Sequence, residues 1–209
     1  PSTAAKRNNL CFEFARNHIK AHPNSVVRML VYATGATGIH LWTPKTTGLG
    51  ELTTSNVMLD STISKLNALP AGFNAKVVLW QQGEQNVTDN NIAAYDSLLF
   101  EVYDTLVNHS KISDSAHFIA NYPCNANTYL PLTVSLDSIY NSVKNIGRRN
   151  ISVVRHNEGS TDGTHLTNDA IAVIGRRDYS RWVMGQISDA KKADSGVNYL
   201  ARLGSFSDH

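Results

Sequence analysis

Apolar positions along this chain follow two alternating rhythms. Leu10, Phe14, Ala15, His18 and Ile19 recur every three to four residues, the mark of one buried helical face, with Asn8 or Asn9 placed to cap it and His22-Pro23-Asn24 to end it. The β-branched run Val26-Val27-Arg28-Met29-Leu30-Val31-Tyr32-Ala33 then predicts a strand, and TGATG over 34–38 a loop. Val57, Leu59, Ile63 and Leu66 predict a helix over 56–69, Lys76-Val77-Val78-Leu79-Trp80 a buried parallel strand, and Ile92, Tyr95, Leu99, Val102 and Leu106 a long helix over 90–108. The alternation repeats twice more. A short strand over 117–121 precedes a helix over 134–146 closed by Gly147, and a strand over 151–155 precedes a helix from Thr167 to 187 bearing Ile171, Ile174, Tyr179, Trp182 and Val183.

Strands alternating with helices of this length imply an α/β fold, a parallel sheet covered on both faces. Ligands of such sheets sit outside the carboxyl ends of the strands. With 209 residues, 42% of them hydrophobic, the chain supports one sizeable core, placed here over 1–187, with a Gly/Ser-rich tail over 188–209.

Charge narrows the classes. Nineteen Lys and Arg against seventeen Asp and Glu give a net +2 without a basic run or aromatic-basic interleaving, so the footprint of a nucleic-acid binder is missing. No apolar stretch approaches the roughly 18–20 residues of a membrane span, and PSTAAKRNN at the start reads as neither a signal peptide nor a targeting helix. Cys11 and Cys124 are too few for a disulfide framework, and neither has a partner at metal-ligand spacing; the histidines are scattered, so neither metal nor cofactor is implied. Sequons stand at Asn86, Asn108 and Asn150, the first two residues past Glu84, where a glycan would crowd a strand end. That placement favours a bacterial or viral source.

Although only 17% of the chain is charged, unusual polar residues gather in three loops that follow strands: TGATGIHLW, QQGEQN and HNEGSTDGTHLT. In a parallel sheet these loops lie on one edge and can converge. In the last, Asp162 stands three positions before His165, a spacing that lets the carboxylate accept the Nδ1 proton and leave Nε2 as a general base. The same residues also suit a turn and a cap for the following helix, with Thr167 at the cap. In the middle loop Gln82 offers an amide donor, Gly83 close backbone approach, and Glu84 a carboxylate to hold the neighbouring loop or the histidine. In the first, the N–H groups of Gly35 and Gly38 are candidates for binding an oxyanion. Neither a Walker pattern nor G-x-G-x-x-G is present, which ranks a flavodoxin-like nucleotide binder low.

Taken together the loops resemble the SGNH (GDSL-like) hydrolases, within them the sialate O-acetylesterase and acetylxylan-esterase-like branch. Trp80-Gln81-Gln82-Gly83-Glu84 matches four of five positions of the family's W-H-Q-G-E block, with Gln81 standing where histidine is usual. Ala36-Thr37-Gly38-Ile39-His40-Leu41-Trp42 resembles the preceding G-G-T-x-I-x-x-W-like block, and Asp162-Gly163-Thr164-His165 the closing D-x-x-H; the likeness runs over residues 10–182. It implies a three-layer α/β/α fold that hydrolyses esters, typically O-acetyl groups on sugars, without a cofactor. By the same resemblance His165 is the general base, Asp162 its orienting acid, Gly38 and Gln82 oxyanion donors, and Glu84 a supporting or alternative third member.

Members of that family begin with a strand running into G-D-S or G-Q-S-N, whose serine is the nucleophile, and this chain shows no such block. In the family's strand order, 2-1-3-4-5, that strand lies inside the sheet, so the four strands read here flank an empty slot. Unpaired backbone groups along a buried slot cost on the order of 1–3 kcal/mol each. The expected partners are therefore an upstream segment or a second chain carrying the nucleophile strand, and an acetylated glycan as substrate. An extracellular or virion-surface setting is favoured, as a module of a viral or phage surface protein. The competing expectation is an inactive sugar-binding or structural module built on the esterase fold.

Overall fold

In the computed structural model, which describes residues 10–34, 37–43, 57–88, 95–121, 151–154 and 166–193, three strands form one parallel sheet. Their order is β1 (Ala75–Gln81), β2 (Ile112–Asn121), β3 (Ile151–Val154). The register sets Trp80 beside Ala120 and Gln81 beside Asn121, which in turn faces Val154 across the next ladder. The three carboxyl ends are thus level, and the loops after them leave from one edge.

Helices cover both faces. β2 is buried on both sides, as the near-continuous apolar run of a central parallel strand requires. Phe118 and Ala120 point into a core with Trp80, Leu59 and Leu66 of α2 (Val57–Asn67), and Leu99 and Val102 of α4 (Tyr95–Val107). The alternate positions His117 and Asn121 face α5 (Asn168–Ala193), where His117 lies against Gly185 and Asn121 bonds Asp178. Against α5 packs α1 (Leu10–Ala21), whose Phe14 ring sits 5.6 Å from the rings of both Tyr179 and Trp182. The fold is therefore α/β, in three layers.

Most predicted elements are present. The strand over 76–80 and those over 117–121 and 151–155 appear, the middle one extended back to Ile112. In α4 Tyr95, Leu99, Val102 and Leu106 are buried as their spacing required, and Thr167 caps α5 by accepting the Ala170 N–H at 3.1 Å. That helix runs to Ala193, past the 187 expected from its apolar pattern. Asn8, Asn9, Gly35, Ile92, Cys124, the helix expected over 134–146 and the tail beyond 193 lie outside the described residues.

Three expectations are corrected. The run over 26–33 is not a strand: its backbone is described without one, Val26 is 85% exposed, and Met29, Leu30 and Val31 are exposed too. Its β-branched residues suit an extended chain, but a strand needs a neighbour to pair with, and no described strand lies beside it. Second, β1 is not enclosed. Val77, Val78 and Leu79 are only half-buried, because among the described residues β1 pairs with β2 alone. Segment 26–33 and β1 instead line one trough of about 1560 Å³, to which α1, α2 and α5 contribute Phe14, Leu66 and Ile171. Third, Ile19 and Val57 are exposed rather than buried. In α1 the buried positions are Glu13, Phe14 and Ala15, and Val57 opens α2, with Met58 taking the inward place. No described helix is long and apolar enough to cross a membrane.

Candidate active site

At the carboxyl end of β1 the chain must turn at once into the short helix α3 (Glu84–Thr88), and Gly83 makes that turn at φ 137°, a region open to glycine. Its carbonyl accepts the Val87 N–H at 3.1 Å, so Gly83 caps the helix. Gln82, just before it, is 8% exposed, and Asn86, four residues on, 2%. Both side chains point at the same place. The Gln82 Nε2 donates to Thr37 O at 2.9 Å and to Asn86 Oδ1 at 2.8 Å, and Asn86 Oδ1 also accepts the Ile39 N–H at 2.9 Å. Two of these bonds clamp the 37–39 segment, and the third ties Gln82 to Asn86 of α3.

Gly38 lies inside that clamp. Its φ of −74° is ordinary, and what a Cβ would meet is the His40 ring, with Cε1 2.6 Å away, so that ring would have to turn aside. A 3-10 turn over Ile39–Trp42 follows, in which the Leu41 N–H donates to Gly38 O at 3.1 Å. The turn is anchored by Ile39, fully buried, and by Trp42, whose ring meets Trp80 edge-on at 5.2 Å. Among the described residues no hydrogen bond occupies the Gly38 N–H.

A buried tyrosine supports the β1 end from beneath. Tyr95 OH donates to Gln82 O at 2.8 Å and accepts from Trp80 Nε1 at 3.3 Å; burial pushes its phenol well above the usual range, so it stays protonated and remains a donor. Glu84 opens α3, half-buried, with Oε1 3.4 Å from the Gln81 amide. Thr37, Gln82 and Glu84 all line the trough, as do Leu166, Thr167 and Asn168 at the start of α5.

The structure therefore brings together four of the residues singled out from the sequence, Gly38, Gln82, Gly83 and Glu84, and of these Gln82 and Glu84 line the trough. Asp162 and His165 lie outside the described residues; Leu166 and Thr167, which follow His165 in the chain, stand at that same trough. Gln82 has both amide hydrogens engaged, and its buried carbonyl oxygen has no partner among the described residues. Sequence reasoning missed Asn86 as the clamp, reading it only as a sequon. The signal was present in the four-residue spacing from Gln82, which puts the two amides on neighbouring turns. Tyr95 carried no such signal, since it was already accounted for as a core position.

Comparison with curated proteins returned no match, and comparison with solved structures returned none either. The model of one family, described as carbohydrate esterase, sialic acid-specific acetylesterase, matches residues 3–182. That span holds the Gly38 turn, the QQGE turn, the DGTH loop and most of α5, and by it the chain belongs to the sialic acid-specific acetylesterase family of carbohydrate esterases.

Proposed function

We propose that this chain forms the larger part of an O-acetylesterase that acts on acetylated glycans by serine acyl transfer, the serine arriving on an extended strand that enters the trough beside β1. The observation that carries this reading is the trough itself. Along one bank runs β1, whose outer edge has no strand partner among the described residues, and along the other the extended 26–33 segment. An edge of unpaired N–H and C=O groups is the natural complement of an incoming strand. Its lining also takes in Thr37, Gln82 and Glu84 from the two turns and Leu166, Thr167 and Asn168 from the start of α5.

In this mechanism His165 Nε2 takes the proton from the serine as Oγ attacks the acetyl carbonyl, and Asp162 holds the imidazole by its Nδ1 proton. The carbonyl π electrons move onto oxygen, and the Gly38 N–H faces the charge that develops there. Collapse breaks the bond to the sugar oxygen, which leaves with the proton from His165. Water, deprotonated by the same histidine, then releases acetate and restores the serine. Gln82 holds the Thr37–Gly38 turn in the ground state and joins as a second donor by releasing one of its two bonds. Glu84 supports this wall of the site.

An alkyl fluorophosphonate probe tests the reading, because it labels an activated serine covalently and peptide mapping then locates it. The purified protein is expected to hydrolyse p-nitrophenyl acetate and O-acetylated sialosides, with the label on a segment outside residues 1–209, and both signals lost in His165→Ala. A protein that neither labels nor turns over overturns the catalytic reading and leaves a sugar-binding module.

A further inference from the structure

We propose that Asp178 is held as a neutral carboxylic acid, forming with Asn121 a closed acid–amide ring that locks α5 to the end of β2 and thereby positions the DGTH loop. The consequence for the loop rests on the function proposed above; the acid–amide ring does not. Both side chains are fully buried, and the single hydrogen bond between them runs from Asn121 Nδ2 to Asp178 Oδ2 at 3.0 Å. Each keeps one buried oxygen with no hydrogen-bond partner among the described residues, Asp178 Oδ1 and Asn121 Oδ1. Two acceptors cannot satisfy each other, and leaving both buried and bare is costly. One proton on Asp178 Oδ1 supplies the missing donor, closes the bond to Asn121 Oδ1 and leaves no orphan in the pair.

Among the described residues no opposite charge offsets the burial of the Asp178 carboxyl. From α1 come the Cys11 thiol, which burial keeps uncharged, and the Glu13 carboxylate, paired with Arg16 at 2.9 Å. β2 offers His117, two inward-facing positions before Asn121 and packed against Gly185, and the sequence of β3, ISVV, has no titratable residue. On α5 itself Arg176 and Arg177 are exposed, and Arg181 is half-buried one turn on. Gly175, one turn before Asp178, lets α1 close over the pair, since a Cβ there would stand 2.5 Å from Glu13 Cβ and 2.9 Å from Leu10 O. Burial accordingly pushes the Asp178 carboxyl up to about 7, the Asn121 bond opposing the shift, and pushes the Cys11 thiol up to about 11.

The location gives the pair its role. Asn121 ends the central strand level with Gln81, and Asp178 lies ten residues into the helix that begins three residues after His165. Ionising Asp178 puts an uncompensated charge at this joint and frees the N-terminal half of α5 to shift.

The sign of the pH effect follows from the raised value. A carboxyl that keeps its proton in the folded state, while losing it near pH 4 when unfolded, stabilises the fold progressively less as pH rises from about 4 to about 7, and the loss is complete above that. Asp178→Asn mimics the neutral acid, because its amide gives one donor and one acceptor to Asn121. Thermal unfolding of wild type and Asp178→Asn between pH 5 and 8.5 is expected to show a gap that opens in favour of the variant up to about pH 7 and then stays constant. Infrared difference spectra of wild type are expected to show a protonated-carboxyl C=O band at pH 5.5 that fades through neutrality and is absent from Asp178→Asn. If the variant fails to fold, the wild-type band alone decides. Parallel stability profiles, or no protonated carboxyl at pH 5.5, overturn the proposal whether or not the protein is an esterase. Hydrolysis supplies the positioning readout: the alkaline limb of kcat is expected to move to higher pH in Asp178→Asn, and an unmoved limb removes the link to the DGTH loop.

Discussion

The Gln82 side chain reaches back 45 positions in the chain to donate to Thr37 O at 2.9 Å, and its second amide hydrogen goes to Asn86. One residue thus joins the turn after β1 to the turn that presents Gly38. Asn86→Leu removes the acceptor shared by Gln82 and the Ile39 N–H, leaving two buried donors short. The expected loss is about 1–3 kcal/mol in urea unfolding. Combined with Gln82→Met, the loss is expected to be clearly less than the sum of the two, because both changes dismantle one clamp. Strict additivity would show that the clamp does not act as a unit.

Gly38 is expected to accept alanine at the cost of turning the His40 ring aside. The φ of −74° puts no strain on an alanine, so the whole penalty comes from the His40 ring 2.6 Å from the new Cβ. Gly38→Ala should therefore cost about 1 kcal/mol, the low end of overpacking, because the imidazole can move. His40→Ala in the same chain should recover most of it. If the double variant is no more stable than Gly38→Ala, the glycine serves something other than room for the imidazole.

Tyr95→Phe keeps the ring in the core and removes only the hydroxyl that bonds Gln82 O and Trp80 Nε1. Both partners are buried, so the variant is expected to lose about 1–3 kcal/mol. Trp80 emission should also shift, since its indole N–H loses an acceptor. An unchanged spectrum together with unchanged stability would show that water replaces the hydroxyl.

How far the chain could be read beforehand depended on what kind of interaction decided each feature. The spacing of Tyr95, Leu99, Val102 and Leu106 is local and periodic, and it marked the buried face of α4 correctly. Residues 26–33 had an equally strong local signal, but strand formation is settled by a neighbour, which the pattern of Val26 to Ala33 does not contain. Gly38, Gln82, Gly83 and Glu84 were legible as a group because the polar residues broke an otherwise apolar strand end. What each does there was less legible: Gln82 read as a free donor, whereas its two hydrogens are committed to Thr37 and Asn86. Asp178 gave no signal at all. On a helix with Arg176 and Arg177 beside it, it looks like an exposed charge, and only the meeting of α1, α5 and β2 buries it.

Three glycines separate two causes of glycine dependence. Gly72 has φ +77° and open space within 4 Å of where a Cβ would stand, so Gly72→Ala carries only the backbone cost, about 1–2 kcal/mol. Gly185 has ordinary backbone but the His117 ring 2.3 Å away, and an imidazole can turn aside. Gly175 meets the Leu10 carbonyl at 2.9 Å and Phe14 N at 3.1 Å, which are backbone atoms of α1 and cannot turn aside without the helix. The expected order of destabilisation is Gly175→Ala greatest, with α1 displaced from α5 and the Asn121–Asp178 pair opened to water. Hydrogen exchange reads this directly: α1 amides should lose protection in Gly175→Ala and keep it in Gly72→Ala. Equal protection in the two variants would mean that α1 docks on α5 loosely enough to absorb a methyl group, and the seal over Asp178 would then have to come from elsewhere in the chain.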